Sequence, residues 1–145
     1  ELGRLTEAGV RQAYDRSSDT RLVGADLIIS SPYTRALQTA AIISKEIQVP
    51  LIVENDLHEW MPDLSHAYQC DPKENYAQYI ENRGIPRDDQ SWESYTHLKE
   101  RVDRVLDMYQ TFQKVIVVCH GVVITSQTHF DDRLDFCDIR ICERR

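Results

Sequence analysis

The fold is decided by the stretch Leu27-Ile28-Ile29-Ser30-Ser31-Pro32-Tyr33-Thr34-Arg35-Ala36-Leu37-Gln38-Thr39-Ala40-Ala41. Residues 26–29 predict a short strand, and its continuous apolar run is typical of a parallel strand that helices cover on both faces. Ser31 and Pro32 then fit the N-cap and the first residue of a helix, whose apolar positions recur at helical spacing as far as Ile47. A strand followed at once by a helix indicates an α/β protein.

The same alternation extends along the chain in both directions. The further predicted elements are a helix over 6–17, a strand over 51–53, a helix over 93–112, a strand over 114–119 and an edge or antiparallel strand over 136–141. Residues 61–91 contain three prolines and a glycine that interrupt any long element, so they are predicted to form an inserted lid. We therefore expect one domain over 1–145, a three-layer α/β sandwich with a mostly parallel central sheet between helices.

Composition narrows the class of protein. The 145 residues are 41% hydrophobic and 28% charged, with a formal net charge of −7, which is typical of a globular protein and a poor match for a nucleic-acid partner. No apolar run approaches the roughly 18 residues of a membrane span. We expect a cytoplasmic protein with no membrane partner.

The cysteines and histidines do not predict a metal centre. The four cysteines lack a Cys-x-x-Cys pair, so reduced thiols are expected. His58, His66 and Cys70 lie near one another in the sequence, but their spacing fits no common zinc pattern. The sequence therefore predicts no bound metal.

Three polar residues follow predicted strands and are candidates for chemistry. Arg35 lies in the first turn of the helix after the first strand, Glu59 in the loop after the second, and His120 directly after the strand over 114–119. Taken singly, each has an ordinary interpretation: a solvated arginine, an exposed loop acid, and a histidine satisfied at a strand end. Ligands of α/β sheets gather at the carboxyl ends of the strands, however, and an arginine, a carboxylate and a histidine at one edge suit phosphoryl transfer.

The local sequences resemble the histidine phosphatase (phosphoglycerate mutase-like) superfamily. The run Ser30–Ala40 is similar to its phosphate-binding arginine motif, and Val117-Val118-Cys119-His120-Gly121 is similar to the strand that bears its second histidine. Weaker similarities lie at Leu5–Ala13, at Leu57-His58-Glu59, and at Glu93-Ser94 with Arg101. The resemblance covers the chain from Leu5 to about Ile124.

This resemblance implies a metal-free and cofactor-free mechanism on a small phosphorylated substrate. A first histidine, in an Arg-His-Gly motif at the end of the family's first strand, attacks phosphorus and becomes a phosphohistidine. Arg35 would hold the phosphoryl oxygens, with Gly121 and Val122 beside them, and His120 would donate a hydrogen bond to the same oxygens. Glu59 would protonate the leaving alkoxide. Many relatives have a glycine or a small polar residue where this chain has Val122.

The sequence Glu1–Arg145 contains no Arg-His-Gly, and its other histidines lack that context. We favour the interpretation that the chain is a fragment, because the resemblance puts the missing strand in the sheet centre, beside the strand that ends at His120. A natural form that lost the nucleophile is the alternative. The expected function is phosphomonoester hydrolysis in the complete domain, with this chain inactive alone. The other hypothesis is a pseudophosphatase that binds a phosphorylated ligand or a protein partner.

Two further enzyme classes, a mutase and a cysteine phosphatase, are less consistent with the sequence. A mutase usually carries a larger insertion, whereas the lid over 61–91 is short and more acidic than basic, so a phosphatase is preferred. Cys119, followed by His120 and Gly121, could suggest a cysteine phosphatase loop. That loop needs an arginine six residues after the cysteine, and the residue there is Thr125, so Cys119 is predicted to be part of the strand core.

Overall fold

Three parallel strands form the sheet in the computed structural model, which describes residues 3–67 and 69–144. They are β1 (Leu27–Ser30), β2 (Leu51–Val53) and β3 (Val115–Val118), and their spatial order is β2-β1-β3. Ile28 of β1 pairs with a residue on each side, Leu51 of β2 and Ile116 of β3. All three strands therefore end at the same edge of the sheet.

Helices cover both faces of this sheet. In chain order they are α1 (Glu7–Ser17), α2 (Thr34–Ile47), α3 (Pro72–Glu81), α4 (Tyr95–Met108) and the short α5 (Gly121–Thr125), with 3-10 turns at Thr20–Leu22 and Asn55–Leu57. Leu27 and Ile29 of β1 pack in one core cluster with α4, whereas Ile28 packs in another with α2. The predicted α/β architecture with a helix layer on each face is confirmed.

Local sequence explains where the helices begin and end. The Thr6 side chain accepts a hydrogen bond from the Gly9 amide and caps α1 as predicted, and Ser94 caps α4 through the His97 amide. α2 ends where Gln48 takes a left-handed conformation, two residues before Pro50. The Thr6 and Ser94 side chains satisfy amides that the first turn of each helix leaves without partners.

The central strand β1 and the edge strand β3 differ in burial. Every residue of β1 is buried, because β2 and β3 flank it, whereas every residue of β3 is only partly buried. Among the described residues, β3 pairs with β1 alone and its outer edge pairs with no strand. β3 is thus an edge strand whose composition, Val-Ile-Val-Val, is typical of a strand in a sheet interior.

The prediction of a strand over 136–141 is wrong. Residues 136–141 form no strand: Phe136 and Ile141 are 88% and 72% exposed and Cys137 has a φ of 60°. A strand requires a neighbour that completes its backbone hydrogen bonds, and alternation of apolar residues alone does not provide one. In addition, residues 61–91 contain a real helix, α3, which Asp71 caps and in which Pro72 takes the first position.

An aromatic cluster joins α3 to the rest of the protein. The Tyr79 ring lies 5.0 Å from Trp60, 5.6 Å from Trp92 and 5.3 Å from Phe130 between ring centroids. Gly84 follows α3 with a φ of +73°, and a Cβ there would overlap the Tyr95 side chain. The helix α3 of the predicted lid is therefore packed against the rest of the protein through Tyr79. None of the helices within residues 3–67 and 69–144 is long and apolar enough to cross a membrane.

Candidate active site

The structure brings Arg35, Glu59 and His120 together at the carboxyl ends of the strands. Arg35 Nη2 lies 3.3 Å from His120 Nδ1, and Glu59 Oε2 lies 4.0 Å from the same nitrogen. Arg35 is in the first turn of α2, His120 follows β3, and Glu59 lies in the loop after β2. Three residues that are far apart in sequence thus surround one point at the edge of the sheet.

Ser31 lies in this site and is not the helix N-cap that the sequence predicts. α2 begins three residues later, at Thr34, after a Tyr33 cap that makes no side-chain hydrogen bond. The Ser31 hydroxyl instead lies 2.7 Å from His120 Nε2 and accepts a hydrogen bond from the Tyr33 amide at 3.2 Å. Its backbone amide bonds to the Val118 carbonyl at 2.9 Å, which holds the end of β1 against the end of β3.

These contacts fix the protonation of the His120 ring. A guanidinium can only donate hydrogen bonds, so Nδ1 of His120 accepts from Arg35. The proton of the neutral ring is then on Nε2, where it is donated to the Ser31 hydroxyl. Burial, and secondarily the charge of Arg35, lower the pKa of His120 to about 3. An anion between Arg35 and His120 would act in the opposite direction and favour the imidazolium.

Glu59 has the electrostatic character of a proton donor near neutral pH. Burial raises its pKa to about 7, against the opposing effects of a hydrogen bond from the Trp60 amide and the charge of Arg35. The Trp60 amide donates to Oε1 at 2.8 Å, which leaves Oε2 on the side of His120. The carboxyl can therefore release and recover a proton in the ordinary pH range.

This raised pKa predicts a pH-dependent stability. Between its ordinary value of 4.5 and about 7, the folded protein holds a proton on Glu59 that the unfolded chain has lost. The stabilising contribution is therefore complete at low pH and is lost as the pH rises through about 7. Glu59→Gln, which cannot ionise, should gain about 1–2 kcal/mol relative to the wild type between about pH 4 and pH 8. This free-energy gain is set below the value that the full pKa shift would give, because the Glu59 side chain is 27% exposed and solvent screens its charge.

Urea unfolding of both proteins across the range measures the difference. A constant gap between Glu59→Gln and wild type at all pH values would contradict the raised pKa.

A buried ion pair anchors the loop that carries Glu59. Arg101 of α4 is 2% exposed and contacts fully buried Glu93 with two nitrogens, Nε at 2.7 Å and Nη2 at 3.0 Å. The same guanidinium donates to the backbone carbonyls of Asp56 and Glu59. Although burial alone would raise it, Arg101 keeps the pKa of Glu93 below its usual range. The Trp60 indole N–H donates to the Glu93 carbonyl at 2.7 Å. Arg101 and Glu93 therefore both form hydrogen bonds with the loop that carries Glu59.

Sequence reasoning missed the structural importance of several residues here. Arg101 had a detectable signal, since it lies between Leu98, Val102 and Val105 on the apolar face of α4, where an unpaired charge would be costly. Tyr33 packs edge-on against the His120 ring, with centroids 5.1 Å apart, and lies under the Arg35 guanidinium. Tyr33 had no comparable signal, because its contact with the His120 ring exists only where β3 pairs with β1.

Gly121 and Val122 lie on the wall of a cleft beside the site. The cleft has a volume of about 190 Å³, and Glu59 lines it together with residues of α3 and α5. Gly121 and Val122 are the first two residues of α5, directly after His120. The predicted neighbours of the phosphoryl group thus lie within the same region as Glu59.

Cys119 belongs to the core, as the sequence predicts. It packs against the cluster that contains Leu27 and Ile29, and burial raises its pKa to about 12. A thiol in that state is a poor nucleophile, because the thiolate is the reactive form. Within the part of the chain that the structure describes, no group of three or more His, Cys, Asp or Glu side chains is arranged to hold a metal ion.

Comparisons with known proteins identify the family of the chain. The family model of the histidine phosphatase superfamily (branch 1) matches residues 3–129. The chain is 25% identical over 128 residues to the adenosylcobalamin/alpha-ribazole phosphatase of Escherichia coli (strain K12), a match that covers 83% of this chain and 63% of that protein. It is 28% identical over 126 residues to the uncharacterized phosphatase PhoE of Bacillus subtilis (strain 168), over 83% of this chain and 60% of that protein.

A solved structure shares the fold. The alpha-ribazole phosphatase from Shigella flexneri superposes with a TM-score of 0.63 at 25% sequence identity, over 86% of this chain and 65% of that one. The chain spans about three fifths of the length of the two curated relatives that it matches.

Proposed function

The chain belongs to the histidine phosphatase superfamily (branch 1), and we propose that Arg35, Glu59 and His120 form the phosphoryl-binding part of a phosphomonoester hydrolase. The observation that carries the proposal is that Arg35 Nη2 and Glu59 Oε2 both lie within 4.0 Å of His120 Nδ1. A permanent cation, a polarisable ring and a carboxyl that titrates near neutral pH are the groups that phosphoryl transfer needs.

Each of the three side chains has a distinct proposed role. Arg35 binds two phosphoryl oxygens with its planar fork and stays charged throughout. His120 binds the same oxygens after protonation of Nδ1, which the dianion favours by raising the pKa of the ring. The Ser31 hydroxyl accepts from Nε2 and keeps the ring oriented. Gly121 and Val122 form the adjoining wall.

The proposed reaction passes through a phosphohistidine. A histidine nitrogen from an Arg-His-Gly motif attacks phosphorus, the bond from phosphorus to the ester oxygen breaks, and Glu59 gives its proton to the departing alkoxide. Water then attacks phosphorus while Glu59 takes the water's proton, the bond from phosphorus to the histidine nitrogen breaks, and inorganic phosphate and the free histidine are released. Arginine, imidazole and the carboxyl provide the charges and protons for both steps.

The outer edge of β3 is the proposed position of the strand that brings this histidine. No such motif occurs in Glu1–Arg145. A parallel strand paired there would end beside His120 and would cover Val115–Val118, which are only partly buried in the described residues. On this proposal the 145 residues bind a phosphoryl group but do not turn it over.

The names of the matched relatives support a phosphatase rather than a mutase, since both curated relatives are named as phosphatases. A small phosphorylated substrate is proposed on the same ground and on the modest size of the cleft.

Binding of inorganic phosphate to the 145-residue chain tests the proposed site. By isothermal titration calorimetry, Arg35→Met should weaken binding about tenfold to a hundredfold, because it removes charge-assisted hydrogen bonds. Arg35→Lys should fall between, since it keeps the charge and loses the fork. Arg11→Met, at an exposed position of α1, is the matched control and should bind as the wild type does. Equal affinity of Arg35→Met and the wild type would contradict the proposal.

A further inference from the structure

Residues 137–144 form no helix or strand, and they contact the helix layers on both faces of the sheet. At one end, Cys137 lines a cleft together with Asp15 and Arg16 of α1, and α1 packs against α2. At the other end, Arg144 Nη2 lies 2.9 Å from a carboxylate oxygen of Asp107 in α4, on the opposite face. These residues therefore form a strap that crosses from one face of the sheet to the other.

The strap crosses at the outer edge of β3. Ile139 is partly buried and packs in the core cluster that includes Ile116 and Val118 of β3. Further along the strap, Cys142 Sγ lies 3.6 Å from the carbonyl of Gln127, which follows α5, and α5 in turn follows β3. These contacts place the strap on the β3 side of the sheet.

The contacts on α4 agree with this course. Arg144 also lies 3.7 Å from the Asp103 carboxylate, which accepts a hydrogen bond from the Gln127 side chain at 2.9 Å. The α4 residues that contact the loop after β2 are instead Arg101 and Arg104. The strap therefore meets the flank of α4 that lies towards β3.

The strap covers this edge without pairing with it. Within residues 3–67 and 69–144, no backbone hydrogen bond joins the strap to β3. Besides Ile139, the strap is held by ion pairs of two partly exposed arginines, Arg140 with Asp132 at 2.9 Å and Arg144 with Asp107. Ion pairs of exposed side chains stabilise little, and a loop over an edge strand protects the edge without completing its hydrogen bonds. The strap is thus a weakly held cover.

A strand in the position proposed for the nucleophile would compete with the strap for space. Neighbouring strands lie about 4.8 Å apart, so a strand paired with β3 occupies the space directly beside it, which the strap crosses. Such a strand would form a ladder of backbone hydrogen bonds with β3, and these bonds favour the strand over the strap. The two occupants therefore exclude each other, and the strand binds more strongly.

We propose that residues 137–144 are a displaceable strap, which covers the outer edge of β3 until the strand that ends in Arg-His-Gly pairs there and releases it. The protein then has two forms, one with the strap on β3 and no nucleophile, and one with the strand on β3 and the strap released. Contacts made only by the bound strap oppose the second form. This inference rests on the proposed function, from which it takes the position of the strand.

Cys137 provides a readout of strap release. Its thiol is partly buried beside α1, and burial raises its pKa, so alkylation is slow while the strap is bound. In the chain extended by a strand that ends in Arg-His-Gly, iodoacetamide should alkylate Cys137 at least about tenfold faster than in the 145-residue chain. Cys70, which is partly buried outside the strap, is the internal control and should react equally fast in both chains. Mass spectrometry of the digested proteins measures both rates.

Melting temperatures test the packing of the strap. Ile139→Ser should lower the melting temperature of the 145-residue chain by about 3–6 °C, because it removes a partly buried apolar side chain. In the extended chain it should lower the melting temperature by less than about 1 °C, because the released strap no longer packs there. Ile141→Ser, at a 72% exposed position of the strap, is the matched control and should change neither melting temperature.

The outcomes separate this inference from the function on which it rests. Equal alkylation rates of Cys137 in the two chains, or an equal loss from Ile139→Ser in both, would overturn the displaceable strap. A higher melting temperature of the extended chain would then leave the position of the strand standing. Equal melting temperatures of the short and extended chains would refute that position and the strap together, while phosphate binding that depends on Arg35 would still support the phosphoryl site.

Discussion

The 145-residue chain is expected to hydrolyse 4-nitrophenyl phosphate at least about 1000-fold more slowly than the same chain extended by a strand that ends in Arg-His-Gly. The reason is that Arg35, Glu59 and His120 can bind a phosphoryl group and protonate a leaving group, while none of them is proposed to accept the phosphoryl group. Direct attack by water forgoes covalent catalysis. Initial rates on equal concentrations of the two purified chains measure the difference.

The extended chain needs a control that separates chemistry from folding. Its new histidine is changed to alanine, which should abolish turnover while it keeps the stability that the strand provides. Both extended chains should melt at a higher temperature than the short chain, because the strand pairs with β3 and buries Val115–Val118. Robust turnover by the short chain would refute the phosphohistidine mechanism. Equal melting temperatures of the short and extended chains would refute the position given to the strand.

The largest expected effect on stability is at Arg101. Arg101→Met should lower the free energy of unfolding by about 3–5 kcal/mol, because the fully buried Glu93 carboxylate loses its permanent cation and keeps only its contacts with the Met61 amide and the His97 ring. It also removes the donors to the backbone carbonyls of Asp56 and Glu59. Urea unfolding at neutral pH measures the loss.

Two variants test whether the effect arises from the unpaired charge. Arg104→Met, one turn away on α4 at a 62% exposed side chain, should change the free energy of unfolding by less than about 0.5 kcal/mol. The double variant Arg101→Met with Glu93→Leu should recover much of the loss, since no buried charge then remains. A loss at Arg101 no larger than that at Arg104 would mean that the pair does not anchor the loop.

The parts of the fold that the sequence predicts correctly depend on local patterns. The apolar run of β1 and the helical spacing of α2 are contained within about twenty residues, and both elements form, β1 one residue later than predicted and α2 from Thr34 to the predicted end at Ile47. The convergence of Arg35, Glu59 and His120 is also predictable, because parallel strands bring their carboxyl ends to one edge.

The parts that the sequence does not predict depend on long-range contacts. Ser31 has the composition and position of an N-cap, yet its hydroxyl lies 2.7 Å from a histidine 89 residues away. Residues 136–141 alternate as a strand does but have no partner strand among the described residues. α3 is a different case, since Asp71 and Pro72 are a recognisable helix start that the surrounding helix breakers outweighed in our prediction.

Orthophosphate titration of the 145-residue chain, followed by NMR on the His120 imidazole, tests most directly whether a phosphoryl group binds between Arg35 and His120. The His120 resonances are assigned by their loss in His120→Gln. Without phosphate the ring should remain neutral, in accord with a pKa of about 3. Saturating phosphate should shift its resonances and raise that pKa by more than about one unit, and Arg35→Met should abolish both changes. A His120 ring that neither shifts nor changes its pKa at saturating phosphate would contradict the account.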